Sequence, residues 1–253
     1  MKRSKRKKFA VTAVFIGSLS VIVAFLLVSF LNVPRKSDDS ETGDSTADNY
    51  YAHDTEGTDS QNDGEHSENV TSKGYSIKKI DGVTYIDNIM IVNKEYPLPE
   101  SYDPKDLNPD AAGAFEEMKN AAASEGVKLW IQSGYRSYDR QKELYEQSIN
   151  SPDANVTDSL IARPGYSEHQ TGLSMDINSV TKLMGEWKEG IWLRDNCYKY
   201  GFIIRYPEDK EKFTGYSYEP WHIRFVGRDL AKKLHDSGEC LEEYLGINSE
   251  YSE

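Results

Sequence analysis

Apolar and polar positions alternate in short runs along residues 75–93, YSIKKIDGVTYIDNIMIVN, and the alternation is broken at Asp81-Gly82 and again at Asp87-Asn88. Period-two runs separated by such dipeptides predict β-strands joined by tight turns, so a meander is expected. The period then changes. Ala112, Phe115, Met118 and Ala122 recur at helical spacing, with Asn108-Pro109 supplying the start and Gly126 the stop, which predicts a core-facing helix. KLWIQS (128–133) reads as a strand, Ser137 as the N-cap of a helix through about Ser148, and LSMDI (173–177) as another strand. IWLRDNCYKYG (191–201) reads as a helix stopped at Gly201, FIIR and WHIRFV as two strands, and GRDLAKKLHDSG as a helix ending at Gly238. Strands and helices mix without a βαβ rhythm and without an internal repeat. The expected class is α+β, a small antiparallel sheet with flanking helices.

Two N-terminal stretches lie outside that pattern. Residues 9–31, FAVTAVFIGSLSVIVAFLLVSFL, carry no charge, and at ~1.5 Å per residue of helix they span roughly 35 Å, enough to cross a bilayer. Lys2, Arg3, Lys5, Arg6, Lys7 and Lys8 precede this run. The positive-inside rule then puts residues 1–8 in the cytoplasm and everything after Leu31 outside, giving a single-pass membrane protein. A cleaved signal peptide is the rival reading, but its hydrophobic region would be shorter and no small-x-small site follows Leu31; an uncleaved anchor is preferred. Residues 32–73 are rich in Ser, Thr, Asp, Glu, Asn and Gly, too polar to offset their ordering entropy, and read as a disordered acidic linker. Residues 74–253 remain as the extracytoplasmic domain.

The formal charge of −12 owes much to the linker acids, and an acidic balance argues against nucleic acid as a partner. His53 and His66 fall in the linker and read as solvated side chains. An extracytoplasmic location permits a disulfide between Cys197 and Cys240, but spacing does not bring them together, and two separate buried thiols are the preferred reading. Neither cysteine has the neighbours of a nucleophile.

Candidate chemistry gathers in two places. His169 and Asp176 flank Gly172, whose freedom lets the chain turn sharply between a loop and a strand. Glu219-Pro220-Trp221-His222 supplies a second carboxylate and a second imidazole. Catalytic zinc takes three protein ligands and keeps a fourth position for water. His169, Asp176 and His222 make three, and Glu219 is then free to act as the base. Spacing alone also accommodates a hydrogen-bonded structural His169, a turn-capping Asp176, a solvated Glu219 and a Trp221-His222 pair at a core edge.

Three motifs occur in order: Ser133-Gly134-Tyr135-Arg136-Ser137, then SxHxxGxxxD from Ser167 to Asp176, then Glu219-Pro220-Trp221-His222. In this the chain resembles the VanY-type D-alanyl-D-alanine carboxypeptidases, zinc peptidases of the bacterial cell wall, over roughly residues 90–228. The resemblance implies Zn2+ on His169, Asp176 and His222, Glu219 as catalytic base, and Arg136 stabilising the oxyanion of the tetrahedral intermediate. Where many relatives carry alanine, this chain has Ser174. The implied activity is D,D-carboxypeptidase hydrolysis of the C-terminal D-alanine from peptidoglycan stem peptides. Ser167 and Gln141 are candidates for holding the substrate carboxylate, and Tyr135, Trp221 and Tyr206 for walling the pocket. An L,D-carboxypeptidase acting on tetrapeptide stems, a non-catalytic zinc-stabilised wall-binding module and a purely structural domain are the alternatives.

Overall fold

The computed structural model describes residues 69–150 and 158–252. The anchor (9–31) and most of the linker lie outside the described residues, and among the described residues no helix is long and apolar enough to cross a membrane. The folded chain starts before residue 74: Val70 bridges Ser76, Thr71 is buried and the Ser72 hydroxyl donates to Gly246 O at 2.7 Å. The last residues assigned to the linker therefore belong to the domain, because their backbone is tied to elements distant in sequence.

The expected meander is present as β1 (Ile77–Ile80), β2 (Val83–Ile86) and β3 (Ile89–Ile91), paired antiparallel in that order. Its turns follow from the dipeptides seen in the sequence. Asp81 and Gly82 sit at φ 49° and 84°, and Asp87 and Asn88 at 49° and 64°; two left-handed residues in a row make the tight connection whose twist suits a hairpin. This three-stranded sheet stands apart from the second one, so the single small sheet expected is in fact two.

The second sheet contains β4 (Ile131–Ser133), β5 (Ser174–Ile177), β6 (Phe202–Ile204) and β7 (His222–Phe225) in the order β4-β5-β7-β6, all antiparallel. β4 is shorter than KLWIQS suggested. The Asn178 side chain accepts from Trp130 N and donates to Lys128 O, replacing backbone rungs there and ending the regular ladder. Period-two alternation gives this sheet two unlike faces. Met175, Ile177, Ile223 and Phe225 pack with the apolar cluster that includes Phe115, Met118 and Leu193. Ser174, Asp176, His222 and Arg224, the intervening residues, point the other way and are buried too.

α1 (Pro109–Ser124) covers the apolar face, capped by the Asn108 side chain, which accepts from Asp110 N and Ala111 N. Its buried stripe is Ala111, Phe115, Met118 and Ala122 rather than one beginning at Ala112, one position away from the expected register. α2 (Tyr138–Ile149) begins at Ser137, whose hydroxyl accepts from Arg140 N. The helix expected over 191–201 is broken: α3 (Lys188–Asn196) gives way to a 3-10 turn over Cys197–Tyr200 before Gly201 stops it at φ 85°. α4 (Glu211–Thr214), α5 (Arg228–Ser237) and α6 (Leu241–Leu245) complete the domain. α5 and α6 share a second apolar cluster with the meander, built on Ile86, Ile91, Leu234, Leu241 and Leu245. Cys197 and Cys240 are free buried thiols, and burial pushes each up to about 12, so neither is a nucleophile at neutral pH.

Candidate metal centre

Asp176 and His222 are residues of two different strands, yet they face each other across the β5–β7 ladder in register. Directly opposed residues of an antiparallel pair have Cβ atoms about 4.5–5.5 Å apart on one face. The pairing that builds the sheet thus brings the two together. His169 arrives from another direction, on a 3-10 turn over Glu168–Thr171 that leads into β5. That turn closes at Gly172, with φ 71°, where a Cβ would lie 2.6 Å from Asp106 O. Only glycine fits both the backbone angle and the close approach.

The three side chains converge: one ligand atom from each of His169, Asp176 and His222 lies within 4.8 Å of the others, and all three residues are buried. His169 Nε2 is 3.3 Å from Asp176 Oδ2 and His222 Nδ1 is 3.1 Å from Asp176 Oδ1. Asp176 Oδ1 nevertheless has no hydrogen-bond partner, and neither has His222 Nε2. Asp176 Oδ1 faces His222 Nδ1 at 3.1 Å without bonding it, which is costly for a buried oxygen unless something else satisfies it, and a divalent cation among His169 Nε2, the Asp176 carboxylate and His222 Nδ1 does so with the donor set zinc prefers. The ring of His169 is set for this by Gly134 O, 2.7 Å from its Nδ1. With that proton given to the carbonyl, Nε2 is left with its lone pair facing inward.

The three side chains shift one another's titration. Burial alone would raise the Asp176 carboxyl, but His169 and His222 hold it far below the usual carboxylate range. Burial lowers His169, helped by the Arg136 charge. For His222 the pull of burial is outweighed by Asp176 and Glu168, and its value rises to about 9.

Two further groups stand at the rim. Glu219 Oε2 is 3.7 Å from His222 Nδ1, three residues along the chain, its backbone N–H donating to Tyr206 O at 3.0 Å. Burial, with the neighbouring Asp176 charge adding to it, raises its carboxyl to about 8 against the opposing pull of His222. Arg136 Nη2 lies 4.0 Å from Asp176 Oδ2. Its guanidinium is fixed by Gln141 Oε1 at 2.7 Å and Ser133 Oγ at 3.1 Å, while Arg136 N donates to His169 O. The Ser133–Ser137 motif therefore supplies an orienting carbonyl, a cation and a helix cap within five residues.

The expected pocket residues divide. Gln141 is buried, and its amide bonds Arg136 and, through Nε2, Ala162 O at 2.7 Å. Trp221 belongs to the apolar cluster on the far face of the sheet and does not wall the pocket. Tyr135 turns its hydroxyl to Asp103. Tyr206 stays at the site, its ring 5.0 Å from that of His222. Ser167 is buried at the start of the 3-10 turn, and its side chain caps none of the turn's amides.

A group of buried charges behind the centre was not singled out in the sequence. Glu168 Oε1 accepts from Arg205 Nε at 2.7 Å and from Arg224 Nη1 at 2.8 Å. Arg205 also forms a two-pronged pair with Glu242, at 2.8 and 2.6 Å. A signal did exist: FIIR and HIRFV each carry an arginine within or next to an apolar strand, and a buried charge requires a partner.

Two buried imidazoles and a carboxylate, with the further carboxylate of Glu219 beside them, are the side chains that water-activating zinc chemistry uses, and the class they suit is a zinc hydrolase. The family profile described as VanY: D-alanyl-D-alanine carboxypeptidase matches residues 104–228. YodJ of Bacillus subtilis (strain 168), which carries a carboxypeptidase name, is 44% identical over 197 residues, 67% of this chain and 72% of its own. Among solved structures, the LdcB LD-carboxypeptidase superposes with a TM-score of 0.61 at 39% identity, over 73% of this chain and 97% of that one. A vancomycin resistance D,D-pentapeptidase VanY in complex with Zn(II) superposes at 0.54 and 36% identity, over 61% and 97%. The chain belongs to the VanY-type D-alanyl-D-alanine carboxypeptidase family and is a zinc metallo-carboxypeptidase.

Proposed function

We propose that this protein is a D,D-carboxypeptidase that removes the terminal D-alanine from pentapeptide stems of peptidoglycan, its catalytic domain held outside the cell by the apolar segment at 9–31. The observation that carries the catalytic part is the placement of Glu219 at 3.7 Å from His222 in the buried His169–Asp176–His222 cluster. His169 through Nε2, His222 through Nδ1 and Asp176 through its carboxylate are the residues that would hold zinc. When bound, zinc supplies a Lewis acid and a water acidified to about neutral pKa.

The protein groups then divide the work. Burial raises the Glu219 carboxyl above the usual carboxylate range, toward the neutral region where a general base that becomes the acid in the next step works best. Glu219 takes a proton from water as oxygen attacks the scissile carbonyl, and returns it to the amide nitrogen as the C–N bond breaks. D-alanine leaves with its amino group, and the shortened stem keeps the new carboxylate. Arg136, held rigid by Gln141 and Ser133, faces the developing oxyanion with a fixed donor fork. Ser167 is assigned to the substrate's terminal carboxylate and Tyr206 to the pocket wall.

A second reading rests on the LdcB neighbour: the bond cut would join an L-centre to D-alanine in a tetrapeptide stem. The deciding experiment incubates the full chain with penta- and tetrapeptide muropeptides and weighs the products. Loss of one alanine mass from the pentapeptide alone is the expected result; loss from the tetrapeptide alone replaces D,D with L,D. Arg136→Ala is expected to keep its zinc and lower kcat/KM about 10²–10³-fold, as removal of an oxyanion donor does, measured by D-alanine release. The anchor is tested by membrane fractionation, with the chain expected in the membrane pellet and recovered only with detergent.

A further inference from the structure

The two imidazoles of the centre are not held alike. His169 has its second nitrogen fixed by Gly134 O at 2.7 Å, the arrangement usual for metal-binding histidines, whose remote N–H is given to a carbonyl or carboxylate. His222 presents Nδ1 to Asp176 and has its remote nitrogen, Nε2, buried with no hydrogen-bond partner. The acceptor facing that nitrogen is Glu168 Oε2, at 3.7 Å.

Glu168 is fully buried, so its carboxylate must be satisfied by protein groups. A carboxylate offers about four lone-pair sites. Arg205 Nε and Arg224 Nη1 occupy two on Oε1, and Ser174 Oγ occupies one on Oε2 at 2.8 Å. The remaining site, on Oε2, is turned toward the one buried nitrogen of the centre that lacks a partner. A ring displacement of about 0.8 Å brings 3.7 Å to ordinary hydrogen-bond length.

We propose that Glu168 is the positioning residue of His222: its Oε2 accepts a hydrogen bond from Nε2–H, fixes the tautomer, and so aims the Nδ1 lone pair at the metal position. This rests on the reading of His222 as a zinc ligand. Ser174, where alanine was the family expectation, fastens the same oxygen. The support reaches past residues 104–228, which the family profile matches. Arg205 is tied to Glu242 of α6, Glu242 Oε1 accepts from Asn93 Nδ2 at 3.1 Å, and Arg224 Nη2 donates to Met90 O at 2.8 Å on the meander. The meander and the C-terminal helix therefore brace a metal ligand they do not touch.

The test is zinc affinity of the full chain, by competition with a chromogenic chelator. Wild type binds one Zn2+; Glu168→Gln is expected to bind it about 10–100-fold more weakly, the usual cost of losing such a partner. Leu245→Ala, which removes a fully buried side chain of the second apolar cluster, lowers the melting temperature and leaves zinc affinity at the wild-type level. Wild-type affinity in folded Glu168→Gln overturns the proposal, and so does an equal loss in Leu245→Ala, since that would reduce Glu168 to general stability. Should Glu168→Gln fail to fold, Glu168→Asp keeps the charge between the two arginines but withdraws the carboxylate by one methylene, and the same loss is expected. In the 15N spectrum of zinc-loaded wild type, His222 is expected as the Nε2–H tautomer; an Nδ1–H signal also overturns the idea. A wild type that binds no zinc refutes the metal site itself, an outcome distinct from all of these.

Discussion

Glu219→Gln is expected to keep one zinc per chain and to lose about 10²–10⁴-fold in D-alanine release, the usual contribution of a positioned general acid–base group. The substitution conserves shape and hydrogen-bonding reach and removes only the ability to carry a proton between water and amine. Glu219 lies outside the three-ligand cluster, and its carboxylate comes no closer than 3.7 Å to His222 Nδ1, so metal retention should follow. Metal analysis alongside a kcat measurement checks both halves. Unchanged turnover would remove Glu219 from the mechanism, and lost zinc would make it a ligand.

Arg205→Met should be the most damaging change to stability away from the metal. The guanidinium is wholly buried between Glu168 and Glu242, and both carboxylates would lose the cation they share. Breaking a buried pair by deleting one partner costs about 3–5 kcal/mol, because the stranded charge stays desolvated. Against a net stability of about 5–15 kcal/mol, that is a large fraction. For a domain of this size it corresponds to a fall of about 6–20 °C in melting temperature, readable by circular dichroism. A shift below 2 °C would show that the cluster relaxes by admitting water.

The local elements were readable because their causes are local. Asp87-Asn88 accepts two left-handed residues, Asn108 offers an acceptor to free amides, and Ser137 does the same for α2; none of these needs a distant partner. The misreadings share an origin in long-range contacts. KLWIQS shortened because Asn178, far along the chain, replaced its rungs, and Trp221 went to the core because β7 turns that side of the chain toward α1 and α3.

The sequence by itself determined the element types, the turn chemistry, the resemblance carried by three motifs and the residue kinds a zinc peptidase needs. Tertiary structure decided which of those residues meet. Asp176 and His222 become neighbours through antiparallel register, and His169 joins them across a turn only glycine can make. The paired charges behind them were also decided there, since a charge can be buried only when folding delivers its counter-charge, and Glu168, Arg205, Arg224 and Glu242 come from four separate parts of the chain.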